Sequence, residues 1–121
     1  MTNAINWFEI PVTNYERAKK FYSTVLKTEI TDAPMPGVKY GVFKYDMEGV
    51  GGGLIEGDGR QPQKDGVLLY MPGGNDLSIP LARVEAAGGT ILIPKTSIGE
   101  NGFMAQLIDT EGNKIALHSM N

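Results

Sequence analysis

Trp7-Phe8-Glu9-Ile10-Pro11-Val12-Thr13-Asn14-Tyr15-Glu16-Arg17-Ala18-Lys19-Lys20-Phe21-Tyr22-Ser23-Thr24-Val25-Leu26 changes its hydrophobic period partway along. Residues 5–12 are rich in aromatic and β-branched side chains and alternate imperfectly, which predicts a strand. Tyr15, Ala18, Phe21, Tyr22, Val25 and Leu26 then recur three and four apart, on one face of a helix. Arg17, Lys19 and Lys20 fall on the other face or its margin. Between strand and helix, Thr13-Asn14-Tyr15-Glu16 has the form of a capping box, in which Thr13 and Glu16 satisfy each other's amides.

Three strand candidates follow, at 28–31, 39–45 and 49–56, the first ending before the turn cluster Pro34-Met35-Pro36-Gly37. In the second, Tyr40, Val42 and Lys44 share one face, and Gly41, Phe43 and Tyr45 the other. The third contains Gly51-Gly52-Gly53, which marks a bulge or a close approach by another group. Residues 57–66 form a polar loop with no apolar side chain larger than proline. Beyond it the order returns. Residues 67–71 read as a buried strand. Asn75 or Asp76 can cap a helix through Leu77, Leu81 and Val84 that ends at Gly88-Gly89, with Pro80 in its first turn. Three strands follow, at 91–94, 103–108 and 114–118, with a turn at Asp109-Thr110-Glu111-Gly112-Asn113.

The chain therefore reads βαβββ twice, an α+β fold of a single domain with repeat one over about 1–57, a linker at 58–65 and repeat two over about 66–121. Two such sheets, joined at their edges, curve into a half-open barrel whose concave face is a ligand cavity.

Composition narrows the partners. The net charge is −3, from 14 acidic and 11 basic residues, so no basic excess exists to bind a phosphate backbone, and nucleic acid is excluded as a partner. No apolar run approaches the roughly 20 residues of a membrane span, and the start has no basic-then-apolar leader, so no membrane association is expected. There is no cysteine, which excludes thiolate chemistry and fits a cytoplasmic location. With one histidine, His118, any metal site would rest mainly on carboxylates.

Three stretches resemble the vicinal oxygen chelate superfamily, which includes glyoxalase I, extradiol dioxygenases and bleomycin-resistance proteins. They are Trp7 to Val12 running into Glu16-Arg17-Ala18-Lys19-Lys20-Phe21-Tyr22, then 81–89, then 108–115. The resemblance implies the two-repeat fold, a site for a small molecule in the barrel, and a homodimer whose sheets complete the cavities. It also implies metal ligands on the first and fourth strands of each repeat. Those positions fall on Trp7, on or near Glu56, on Leu68 (or its neighbours Val67 and Leu69) and on Ala116. Only Glu56 can ligate, so the expectation is a member without metal or other cofactor, binding or transforming a small molecule. If it is an enzyme, it is of the lyase, isomerase or dioxygenase-related kind. The alternatives are a metal-dependent lyase or dioxygenase and a non-catalytic structural or regulatory dimer.

Alternation extends the reading to neighbours of these positions. Glu9 shares a face with Trp7, and His118 with Ala116. If the two meet, each shifts the other toward a working pH and they form a general acid/base couple. The plainer reading has Glu9 bonded to a tyrosine or a backbone amide, and His118 solvated near the C-terminus. Trp7, Tyr70, Tyr40 and Phe43 are candidate cavity walls, with core packing as the alternative for each. Glu56 is a surviving ligand, a polar wall or an exposed strand end.

Overall fold

The computed structural model describes residues 3–33 and 35–121. Met1 and Thr2, and Pro34 of the turn cluster, lie outside the described residues. Among the described residues, eight strands and two α-helices appear in the order β1 (Trp7–Pro11), α1 (Tyr15–Leu26), β2 (Ile30–Asp32), β3 (Lys39–Phe43), β4 (Gly51–Glu56), β5 (Leu69–Pro72), α2 (Ser78–Leu81), β6 (Thr90–Ser97), β7 (Phe103–Ile108) and β8 (Lys114–Ser119). They build two four-stranded sheets, β1-β4-β3-β2 (sheet 1) and β5-β8-β7-β6 (sheet 2). In each, the strand before the helix pairs in parallel with the last strand of its repeat, and the remaining pairs are antiparallel. The expected α+β architecture of two βαβββ units is present.

The capping box does not form. Asn14, in extended backbone, is the N-cap and accepts from the Arg17 amide. The acceptor for the Thr13 amide is Glu111, from the far end of the chain. A tertiary carboxylate outcompetes the local one because it also bonds the Thr13 hydroxyl, the Asn14 amide and Arg17. The second helix is shorter than its pattern predicts. Pro80 has no amide to give, and beyond Leu81 the chain tightens into turns, with the Arg83 and Val84 amides bonding the carbonyls three residues back. Val84 is nonetheless fully buried, so the apolar spacing was read correctly although the helix was not. Asp76 takes the amide and hydroxyl of Ser78 at the start of this segment.

One core serves both repeats. Ile10, Leu54 and Phe43 of sheet 1 and Met71, Leu107, Ile115 and Leu117 of sheet 2 belong to the same buried cluster, together with Tyr15, Phe21, Tyr22 and Val25 of α1. Each sheet therefore turns its helix-bearing face to a shared interior and leaves the other face free. Polar joints tie the repeats together. Tyr22 donates to Asp109 Oδ2 at 2.5 Å, and Asn113 Nδ2 donates to the Pro11 carbonyl at 2.8 Å. Asp109 also accepts from the Glu111 and Asn113 amides, closing the turn between β7 and β8.

The three glycines at the start of β4 each lie under an aromatic ring. A Cβ on Gly51 would stand 2.6 Å from the Tyr45 ring, one on Gly52 2.3 Å from Phe8, and one on Gly53 2.6 Å from Tyr40. Close packing is thus the reason for the run.

Candidate functional site on the free face of sheet 1

Strand register assigns the faces. Trp7 and Glu9 lie opposite Gly51 and Gly53 in the parallel β1–β4 pair, and Tyr40 lies opposite Ile55 in the β3–β4 pair. These residues share the free face. Phe8, Ile10, Leu54 and Phe43 share the face that holds α1.

A hydrogen-bonded chain crosses the free face. Trp7 Nε1 donates to the Tyr40 hydroxyl at 2.8 Å, and that hydroxyl donates to Glu9 Oε2 at 2.7 Å. The other carboxylate oxygen of Glu9 accepts from Arg60 at 2.6 Å, and Arg60 also pairs with Asp58. Tyr40 is buried, while Trp7 is 37% exposed and packs edge-on against Tyr45, with ring centroids 5.6 Å apart. The hydrogen bonds from Tyr40 and then Arg60 hold the Glu9 carboxyl below its ordinary range, outweighing the opposing effect of burial. Burial and the Glu9 carboxylate push the Tyr40 phenol up, against the Trp7 bond.

The expected acid/base couple does not assemble within the chain. Glu9 sits on β1 of sheet 1 and His118 on β8 of sheet 2, where it lies opposite Pro72 and Met104. His118 Nε2 lies 2.7 Å from the Asn101 carbonyl, and the two side chains share no hydrogen-bond partner. The shift at Glu9 is also downward, which makes it a stable carboxylate rather than an acid poised near neutrality. The plainer reading, a carboxylate bonded to a tyrosine, describes Glu9.

Glu56 needs correction as well. The β4 alternation puts Glu56 on the helix side, where its Oε1 accepts from the Tyr15 amide at 2.7 Å and caps α1. Phe43 packs against the Tyr22 and Phe8 rings on the helix-bearing side of sheet 1 and lines a cleft there, apart from the Trp7 face. Tyr70 is 54% exposed on the free face of sheet 2, next to Ala116. Sequence reasoning missed Arg60. Its loop is polar throughout, and nothing local distinguishes a bridging arginine from a solvated one.

The metal implied by the family resemblance does not fit this donor set. The Trp7 indole has no lone pair to give, Ala116 presents a methyl group, and the Glu56 carboxylate is turned to the other face. Among the described residues, no group of three or more histidine, aspartate or glutamate side chains converges.

Comparison with known proteins agrees with the architecture. The chain is 27% identical over 123 residues to "Putative glyoxylase CFP32" of Mycobacterium bovis, a match covering 96% of this chain and 45% of the relative. It thus spans about half the length of the curated relatives it matches. Glyoxalase I of Zea mays superposes with a TM-score of 0.75 at 22% identity, over 93% of this chain and 44% of the maize one. TnmS3, an antibiotic binding protein from Streptomyces sp. CB03234, gives 0.72 at 23% identity, over 100% and 99%. A fosfomycin resistance protein, FosX from Listeria monocytogenes, gives 0.70 at 14% identity, over 100% and 94%. These structural likenesses speak for the fold alone. Residues 4–117 match the family model, and with both repeats in place the chain belongs to the Glyoxalase/Bleomycin resistance protein/Dioxygenase superfamily.

Proposed function

We propose that the protein binds a small organic molecule on the free face of sheet 1, without using a metal. The observation that carries this reading is the Trp7–Tyr40–Glu9–Arg60 chain. It presents a fixed carboxylate and a half-exposed guanidinium beside two exposed aromatic rings. Such a face offers stacking surface together with one hydrogen-bond acceptor and one donor cluster of fixed position, which is what an uncharged or zwitterionic polar ligand requires. The binding reading is favoured over acid catalysis because Glu9 stays charged at neutral pH.

A second copy of the chain completes the site in this reading. An open sheet face on one side needs a cover, and the free face of sheet 2 is suited to supply it. That face carries exposed Tyr70, and it includes Gln106, opposite Ala116, whose buried Oε1 has no hydrogen-bond partner.

The test is a thermal-shift screen of small organic molecules, followed for each hit by the emission of Trp7, the only tryptophan. Hits are expected to change Trp7 emission and to lose affinity in Glu9→Gln. A screen in which no hit loses affinity in Glu9→Gln or Tyr40→Phe would overturn the assignment. Sedimentation is expected to show a dimer at micromolar concentration.

A further inference from the structure

A second cavity lies away from the Glu9 carboxylate. A cleft of about 500 Å³ opens between the repeats, a volume in the usual range for small-molecule pockets. One wall is the helix-bearing side of sheet 1 with the end of α1, represented by Phe8, Leu26 and Phe43. The other is β5 with the residue before it, represented by Leu68, Leu69 and Met71. These surfaces are mainly apolar. The charged side chains of the lining are Lys27, at the C-terminal end of α1, and Lys44, directly after β3, with Thr28 beside Lys27.

The charge at that end is unspent. Neither Lys27 nor Lys44 takes part in the ion pairs among the described residues. A shallow adjoining hollow is formed by Ser23, Lys27, Thr28, Glu29 and Lys44, so one carboxylate, Glu29, stands beside the two ammonium groups. The local balance is one net positive charge. Lys27 is also the only non-glycine with positive φ, at φ 50°, among the described residues. A lysine stands where glycine or asparagine is the less strained choice at a helix C-terminus.

We propose that this cleft binds an amphipathic organic monoanion, its apolar body between Phe8, Phe43 and Met71 and its carboxylate at Lys27 and Lys44. The apolar walls supply affinity by removing hydrocarbon from water, and the lysines select the charged head. This site is separate from the Glu9 chain and stands or falls independently of it. Tyr45 lines the cleft and also packs against Trp7, so filling the cleft changes the surroundings of the single tryptophan.

The experiment titrates the full chain with decanoate, with decanol and with decyltrimethylammonium, each below its micelle concentration. Trp7 emission and calorimetry are the readouts. Decanoate is expected to bind about ten-fold tighter than decanol, and the cationic amphiphile not to bind. Lys27→Gly with Lys44→Gln is expected to weaken decanoate about ten-fold and leave decanol unchanged. Glycine suits the backbone at position 27, so this variant keeps the fold. Glu9→Gln is expected to leave decanoate binding intact, which separates this site from the one on the free face. Equal affinity for acid and alcohol, no binding of decanoate, or decanoate affinity untouched by the lysine substitutions would overturn the proposal. A loss of decanoate binding in Glu9→Gln would overturn it as well, by moving the ligand to the other face.

Discussion

The Tyr40 hydroxyl donates to Glu9 Oε2 at 2.7 Å, and this bond spans the free face of sheet 1 from β3 across β4 to a charge on the edge strand β1. The geometry is specific because Tyr40 is itself held from behind. Its oxygen accepts from Trp7 Nε1 at 2.8 Å, and its ring lies against Gly53, where any side chain would displace it. Two strands, β1 and β3, therefore meet at one hydroxyl, over the glycine of a third.

Tyr40→Phe removes both of these bonds at once. The Trp7 indole and one Glu9 oxygen lose their partner, and the expected cost is about 1–3 kcal/mol, since a hydrogen bond to a charged group is among the stronger ones. Denaturant titration is expected to show a lower midpoint with an unchanged slope. The emission of Trp7 in the folded state is expected to shift, and the Glu9 pKa to rise toward the ordinary carboxylate value.

Glu111 makes stability depend on acid. Its burial alone would raise its pKa. The Arg17 guanidinium, the Asn14 amide and the Thr110 and Thr13 hydroxyls more than offset that and hold it at about 2, below the usual 4.5 of a glutamate. A carboxyl lowered by folding contributes stability above its unfolded pKa, and the contribution disappears as pH falls through the folded value. Thermal unfolding is therefore expected to lose midpoint between about pH 5 and pH 2. Glu111→Gln is expected to be less stable at pH 7 and flatter across that window. An equally steep decline in the variant would assign the acid sensitivity elsewhere.

Asp109 is the joint between the repeats. It is 4% exposed and accepts from Tyr22, the Glu111 and Asn113 amides and Asn113 Nδ2. Asp109→Ala leaves several buried donors without partners and is expected to cost about 3–5 kcal/mol. Tyr22→Phe removes a single bond and keeps the ring packing, so about 1–2 kcal/mol is expected. Chemical denaturation of both variants checks the order. Equal losses would mean that Asp109 acts through Tyr22 alone.

The donor set around Trp7, Glu56 and Ala116 leads to a metal prediction. Dialysis against a chelator is expected to leave the melting temperature and ligand binding unchanged. Elemental analysis is expected to show no stoichiometric zinc, nickel, iron or manganese. One tightly held ion per chain, lost in Glu56→Ala, would contradict it.

Much of this was legible along the chain. The change of period at Thr13 is a local property of strand and helix geometry, and it marked β1 and α1. Alternation correctly put Trp7 with Glu9 and Ala116 with His118, because side chains two apart share a strand face whatever surrounds them. The glycine run was legible as a bulge or a close approach, and the rings of Tyr45, Phe8 and Tyr40 decide for the close approach.

Tertiary structure decided what those faces meet. Both sheets turn their helix-bearing sides to one core, so Glu9 and His118, each on a correctly assigned face, remain apart in the chain. The side taken by Glu56 followed from the register of β4 and from α1, whose first amide needs an acceptor. Glu111 displaced Glu16 at the helix start, and Arg60 reached Glu9 across 51 positions of sequence. The physical reason is common to all of these. Periodicity is imposed by backbone geometry over a few residues, whereas the partner of a charged side chain is chosen by whichever opposite or polar group the folded chain brings within about 3 Å.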